Sequence, residues 1–591
     1  MALGINESFG ETYGSIENLT HHSINTDRWL LASLNKPEWD SVTAYIKANL
    51  TDSVIINAVK KMPFEMYTKE GKNLIQDLII RRDNLQEAAD KYYAVLSKYV
   101  EINCGDSNEY VEVIRSGSGK TEINISMNRT ERQQLKIFSR KFSAGETSEI
   151  RLLMRGGSDS IIVKGKSIGG STLVISAGEG ADYIVDSSEV SGYILNHPYN
   201  KSETEIYTEN DSSIIIKNKS TIIYSAKEKQ KIKNVDSLKA GGIYSGYGYE
   251  INWLPWLEIN TDDGVLFGGG RNIIKHGYDR YPCVYKLELL GAYATKTRRV
   301  RAELTGSYSP YSGKIIYNFA FYATGNEVLN YYGQGNESRA NSPGEKSEYY
   351  DIDQQQFIFQ PYIDLPVSLT SRFSVGAVVK YVQTEWKEET YLLNENPYGI
   401  DDMFFNNIFA SYTIDTRNDD ILPSSGSYIS VKTAYFPRYL KNEYAFGKAS
   451  VNGKYYYSMN LPFFASLAFR GGAEKIWGKY PFFESSFIGG QNSLRGVEKN
   501  RFAGDASVYA GIEFRSFFEK FDLLVPVEAG FNLFAETARV FINNKYSAGT
   551  WHKTFGGGIM LSLLKRDYTI NFSAAVSAEG TEYYFTSGFP F

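Results

Sequence analysis

Between Val525 and Val540 the chain alternates with a period of two. Val525, Val527, Ala529, Phe531 and Leu533 are apolar, while Glu528, Asn532 and Glu536 fall on the opposite face of an extended strand. From Tyr568 to Val576 the even positions Tyr568, Ile570, Phe572, Ala574 and Val576 are apolar, against Thr569, Asn571 and Ser573. Similar segments recur from near Asn252 to Phe591, giving about sixteen strand candidates. A soluble sandwich also alternates, but it hides its apolar face and rarely sustains so many long strands in about 350 residues. The pattern predicts a mainly β fold: a 16-stranded antiparallel transmembrane β-barrel, oily outside and wet inside, preceded by a smaller helical plus β region.

Composition agrees. Aromatic residues make up 15% of the 591, led by 45 Tyr and 34 Phe, yet mean hydropathy is -0.33. No run of about 20 apolar residues occurs, which excludes membrane-spanning helices and suits strands that show lipid only every second residue. The net charge of -5 is well mixed along the chain, so nucleic acid is not an expected partner. Cys104 and Cys283 lie far apart in different predicted domains, which excludes a disulfide framework. The opening decapeptide MALGINESFG has neither a basic nor an apolar segment of a secretory signal, so an exported barrel of this kind is expected to carry upstream sequence.

Four regions are expected. Residues 1–100 read as helical, most clearly over Gly71 to Val100, where Leu74, Leu78, Leu85, Ala89, Tyr92, Leu96 and Tyr99 mark one helix face. Residues 101–225 break into short β runs separated by Gly, Ser, Asn and Asp, as in a small sandwich or a short solenoid. Lysine-rich residues 226–241 read as a linker, and 242–591 as the barrel.

Several motifs invite chemistry and do not carry it. GSGKT at 117–121 lacks the leading glycine of a phosphate loop, since that position is Ile114, and it lies between two β runs, where a hairpin turn is expected. GGSDS at 156–160 and GEGAD at 178–182 suggest calcium-binding repeats, but without a nine-residue period they read as turns. His21, His22, His197, His276 and His552 show no metal-ligand spacing with nearby acids, and no Gly-x-Ser-x-Gly elbow is present. No catalytic residue, metal site or cofactor is predicted.

One long connection stands apart. FIGGQNSLRGVEKNRFAGD at 487–505 is polar and glycine-punctuated, between two alternating segments. GGQNSLRGV at 489–497, NLFAETARVF at 532–541, SYTIDTRNDDILPSSG at 411–426 and a terminal phenylalanine occur in that family's order, and together they resemble the BamA-like and TamA-like outer-membrane assembly and secretion factors over about residues 240–591. The resemblance implies a sixteen-stranded barrel whose loop after strand eleven folds into the lumen and docks its arginine on an acid of the wall. Arg495 carries the rigid donor fork for this. Glu536, on a wet face with Phe534, is the first expected partner and Glu513 the second. Gly489, Gly490 and Gly496 would permit the tight turns. The chain departs from the family's pattern at Val497, where an aromatic is usual, and at Glu536 and Ala538, where Asp and Gly are usual.

Pro255 in the first predicted strand and Pro590 in the last cannot donate to a ladder. They mark either a weak seam, which in this family is thought to open sideways, or strand ends. Phe589 and Phe591 match the family's C-terminal signal. The implied function is insertion, assembly or translocation of other polypeptides at the outer membrane of a Gram-negative bacterium, with a periplasmic N-terminal region. The implied partners are membrane lipid, client chains and accessory subunits. The alternative is a passive channel, or an anchor for the N-terminal module. Residues 50–225, including MPFEMY and LIIRRDNLQEAADKYYAVL, also resemble the connector of proteins in which a phosphoesterase precedes such a barrel, but without that enzyme's metal motifs. Repeats of about 75 residues, typical of the domains that precede these barrels, are not found.

Overall fold

The computed structural model describes residues 9–587 except 21, 131–132, 195–196, 201–203, 209–211, 226–245, 261–263, 281–282, 297, 312, 339–348, 386–389, 420–421, 440, 460, 462, 523–525, 544–548 and 564–568. The predicted linker and Phe589, Pro590 and Phe591 therefore lie outside the described residues. Two compact units divide the chain, one built from residues 1–230 with 245–248 and the other from the barrel.

In the first unit the predicted long helix is two, Phe64–Asp83 and Leu85–Ser97, separated at Asn84. Tyr99 is not on the helix at all; it opens the strand Tyr99–Asn103. The break rotates the buried face, so Ala88, Tyr93 and Leu96 are packed inside while Leu85, Ala89 and Tyr92 are half-buried. Among the described residues no helix is long and apolar enough to cross a membrane.

The β runs that follow coil into a solenoid of parallel strands. One face stacks Tyr99–Asn103, Glu149–Leu153, Thr172–Ser176, Thr204–Thr208 and Thr221–Ser225 in parallel order. The other stacks Glu109–Gly117, Ser160–Ile168, Tyr183–Asp186 and Ile214–Ile216, also in parallel. Val111, Val113, Ile150, Leu152, Ile161, Val163, Leu173 and Ile175 fill the space between them. GSGKT is the turn of an antiparallel hairpin, Glu109–Gly117 with Lys120–Thr130. The two glycine-aspartate stretches are turns of the coil. At Gly180 φ is +133°, and a Cβ would lie 1.6 Å from the Gly157 carbonyl oxygen one turn away. Asp159 accepts the Glu109 N–H at 2.8 Å and Asp182 accepts the Asp159 N–H at 3.0 Å, so these acids stitch successive turns together.

The second unit is a closed antiparallel barrel of sixteen strands. They are β1 Tyr249–Asn260, β2 Gly264–Lys275, β3 Tyr285–Ala294, β4 Arg299–Tyr308, β5 Ile316–Asn330, β6 Asp351–Ser368, β7 Ser371–Thr384, β8 Met403–Asp415, β9 Gly426–Phe436, β10 Phe446–Met459, β11 Phe464–Gly478, β12 Ala506–Asp522, β13 Pro526–Phe541, β14 His552–Leu563, β15 Thr569–Val576 and β16 Thr581–Ser587. The alternation is realised in burial. Trp253, Phe267, Leu289, Ile408, Leu533, Ile559 and Phe572 lie on the outer wall, at least half exposed, whereas Asn532, Asn571 and Ser573 are buried on the lumen side. So large an exposed apolar surface is stable only against lipid. Strands alternate in direction, so the long connections 331–350, 385–402 and 479–505 all emerge at one end, the loop end.

β1 and β2 are register partners along their whole length, and among the described residues the barrel closes where Ile259 of β1 is paired with Phe585 of β16. Pro255 sits in the interior of β1, paired in register with Gly269, and not at a strand end.

Candidate functional site: the lumen loop and its wall

The connection from β11 to β12 follows the eleventh strand of the barrel, and it turns inward. Its short hairpin, Ser486–Ile488 with Phe502–Gly504, carries the tip between them. The tip is built by glycines. Gly489 has φ +126°, with a virtual Cβ 2.1 Å from the Glu498 carbonyl oxygen, and Gly496 has φ +84°. Any side chain at either position is strained. Ser493 braces the turn, its hydroxyl accepting the Gly489 N–H at 2.9 Å.

Arg495 is 1% exposed and is gripped by two acids. Its backbone N–H donates to Glu536 at 2.7 Å and its Nε donates to the same carboxylate at 2.9 Å. Nη2 lies 2.7 Å from Glu536, and Nη1 donates to Glu513 at 2.7 Å. The guanidinium carbon stands 3.3 Å above the centre of the Phe534 ring, so the cation also has an aromatic face beneath it. The alternation of β12 and β13 places Glu513, Phe534 and Glu536 inside, and both acids are partners of the one arginine.

Two further arginines complete the array. Arg470 of β11 reaches Glu536 at 2.7 Å and the Gln491 carbonyl at 2.8 Å; Arg515 of β12 donates Nε to Glu513 at 2.7 Å. Charges so deep in a protein persist only when paired in good geometry. Arg470 was legible in principle, since it shares an inward face of its strand with Ser466 and Ala468.

Val497 is buried with Ile488, Leu494, Phe502, Ala538 and Val540 in a small apolar cluster beside the lock. The loop also grips the last strands: the Gly496 N–H donates to the Tyr584 hydroxyl on β16 at 2.8 Å, and the Ser577 hydroxyl donates to the Gly496 carbonyl. Arg501 pairs with Glu579 at 2.9 Å and donates to the Ser338 carbonyl at 2.8 Å. Sequence reasoning found none of Tyr584, Ser577 or Arg501, because their partners are far away along the chain. Among the described residues no group of His, Cys, Asp and Glu could hold a metal ion.

A wide antiparallel barrel whose polar loop re-enters the lumen and bolts an arginine to the wall defines a class of outer-membrane β-barrel. Residues 292–585 match the Omp85 superfamily domain, and the barrel of this chain belongs to that superfamily. Solved structures similar to the chain include BamA from Haemophilus ducreyi lacking POTRA domains 1–3, at 13% identity and a TM-score of 0.42 over 62% of this chain and 71% of that one. CdiB from Acinetobacter baumannii matches at 11% identity and a TM-score of 0.36, over 58% of this chain and 60% of its own. CdiB from Escherichia coli matches at 8% identity and a TM-score of 0.40, over 64% and 65%. The match spans less than two thirds of either CdiB chain. No curated protein matches this one.

Proposed function

We propose that this chain inserts, assembles or translocates other polypeptides at the outer membrane of a Gram-negative bacterium, with its N-terminal unit in the periplasm. The observation that carries the reading is the Arg495 lock, tied through the Gly496 N–H to Tyr584 of the closing strand β16. Opening a barrel in lipid exposes unpaired backbone groups at a cost of several kcal/mol each, so this reading confines opening to one boundary, β1 with β16, where the first strand closes on the last. An open edge strand can then pair with an extended client segment by strand addition. Pro255 in the interior of β1 agrees with weak pairing at this boundary. The Gly496 bond to Tyr584 links the loop to the strand that borders it. A passive channel needs an open aqueous path, whereas here buried arginines and glutamates occupy the lumen.

The test is the rate at which an unrelated outer-membrane protein folds into liposomes containing the full chain, wild type beside Arg495→Ala. Acceleration by the wild type that the substitution removes is expected. No acceleration by either protein would favour an anchor for the N-terminal unit.

A further inference from the structure

The same loop carries a second, largely buried charge of the opposite sign, with the Glu484 side chain 13% exposed. Glu484 closes a short 3-10 turn, Phe482–Glu484, ahead of the hairpin that bears Arg495. Its carboxylate lies 3.1 Å from Lys380 Nζ on β7 and 3.8 Å from Lys448 Nζ on β10. Lys448 also donates to the Glu484 carbonyl oxygen at 3.4 Å and pairs with Glu474 of β11 at 3.1 Å. Lys380, Lys448 and Glu474 all sit near the loop end of their strands, above the level at which Glu513 and Glu536 hold Arg495. Phe482 and Phe483 flank the acid and pack into an apolar cluster with Tyr331, Leu392, Phe405, Phe436, Phe446 and Tyr480. Side chains from three long connections and three strands thus meet in this cluster, and Lys380 lies 5.4 Å from the Phe483 ring centre.

We infer that Glu484 is a second latch on the loop, independent of Arg495, and that it holds the aromatic plug that shuts the loop end of the barrel. The inference rests on the reading of the chain as an outer-membrane barrel with a functional lumen loop. The two latches use different strands and opposite signs. Arg495 takes acids of β12 and β13, whereas Glu484 takes lysines of β7 and β10. The loop is therefore fixed to the wall at two separate points. Without the Glu484 charge, Lys380 and Lys448 would face each other across the plug with Glu474 as the remaining counter-charge near them, and like charges at such separations repel. The plug would lift while the Arg495 lock stayed closed.

Conductance of the full-length protein in planar lipid bilayers tests this without any client. The wild type is expected to stay closed. Glu484→Lys should conduct steadily at several times the wild-type level, and Glu484→Gln, which keeps the shape and loses the charge, should fall between them. Adding Lys380→Glu to Glu484→Lys restores one ion pair and should return the conductance toward wild type. Wild-type conductance in Glu484→Gln, or a freely conducting wild type, would overturn the latch; if Glu484→Lys does not fold, the isosteric variant decides. The outcome is separable from the client assay. Arg495→Ala leaving client folding unchanged would sink the functional reading, while the conductance result would still stand or fall alone.

Discussion

Arg495 holds Glu536 by three of its nitrogens: the backbone N–H at 2.7 Å, Nε at 2.9 Å and Nη2 at 2.7 Å. A side chain and its own backbone closing on one carboxylate fix the position of the loop and also its direction. Lysine offers a point charge in place of a planar fork, so Arg495→Lys would keep charge and lose geometry. Client-folding rates should rank wild type, then Arg495→Lys, then Arg495→Ala close to empty liposomes. The barrel itself should still fold, since Glu513 keeps Arg515 and Glu536 keeps Arg470 after the arginine is gone. Equal activity of all three proteins would exclude the lock from function.

The two acids are not equivalent. Glu513 shares one bond with Arg495, whereas Glu536 takes its backbone and two side-chain nitrogens and also pairs with Arg470. Removing one partner of a buried ion pair costs roughly 3–5 kcal/mol. Glu536→Gln should therefore lower the urea midpoint of the folded barrel more than Glu513→Gln. A double-mutant cycle should give stronger coupling of Arg495 with Glu536. Equal coupling would mean that the second side-chain nitrogen on Glu536 adds nothing.

Gly496 is the hinge of the tip. Its φ of +84° places a virtual Cβ 3.2 Å from Ala575. An alanine there would add backbone strain of about 1–3 kcal/mol and crowd β15. Gly496→Ala should leave the strands intact but expose the loop to protease, whereas Gly453→Ala on β10, with open space around its virtual Cβ, should not. Equal protease resistance in both variants would remove the case for a glycine at 496.

Burial, with the Glu109 carboxylate close by, pushes the Asp159 carboxyl up to about 7 from an ordinary 3.8. The sign follows from proton counts. Below about pH 4 folded and unfolded chains both hold the proton, and the site costs nothing. As pH rises toward 7 the unfolded chain releases a proton that the folded coil retains, so stability falls across that window and levels off above it. Asp159→Asn should flatten this slope, read as hydrogen-exchange protection of the Ser160–Ile168 strand in the full chain between pH 4 and 8. An unchanged slope would assign it to another acid, such as Asp182, whose carboxyl burial also raises.

Much of the barrel was legible because a strand that faces lipid and water has to alternate, and Leu533, Asn532, Phe572 and Asn571 obey that rule residue by residue. The same parity put Glu513 and Glu536 inside. What the sequence could not show is which distant residues meet. Glu484 and Lys380 are 104 positions apart, and Arg501 and Ser338 are 163 apart; barrel curvature and loop packing join them, and no local pattern encodes that. The helix stripe failed at Tyr99 for a related reason. The break at Asn84 has neither proline nor glycine to announce it, and the solenoid claims the next residues for its first strand. Short β runs such as Ile150–Met154 left sandwich and solenoid both open, because strand direction is set by partners and not by composition.

The seam gives the last test. Ile259 and Phe585 are the described partners across β1 and β16, so cysteines at those two positions would be within reach of each other where the barrel closes. Cys104 and Cys283 are buried and unpaired, so they should not compete for the bridge. Oxidised Ile259→Cys with Phe585→Cys should form a folded barrel that no longer speeds client folding, and a reductant should restore the rate. A single substitution at either position controls for loss of the native side chain. Full activity with the bridge closed would mean that clients do not enter through this boundary. The lumen loop would then have to act by another route.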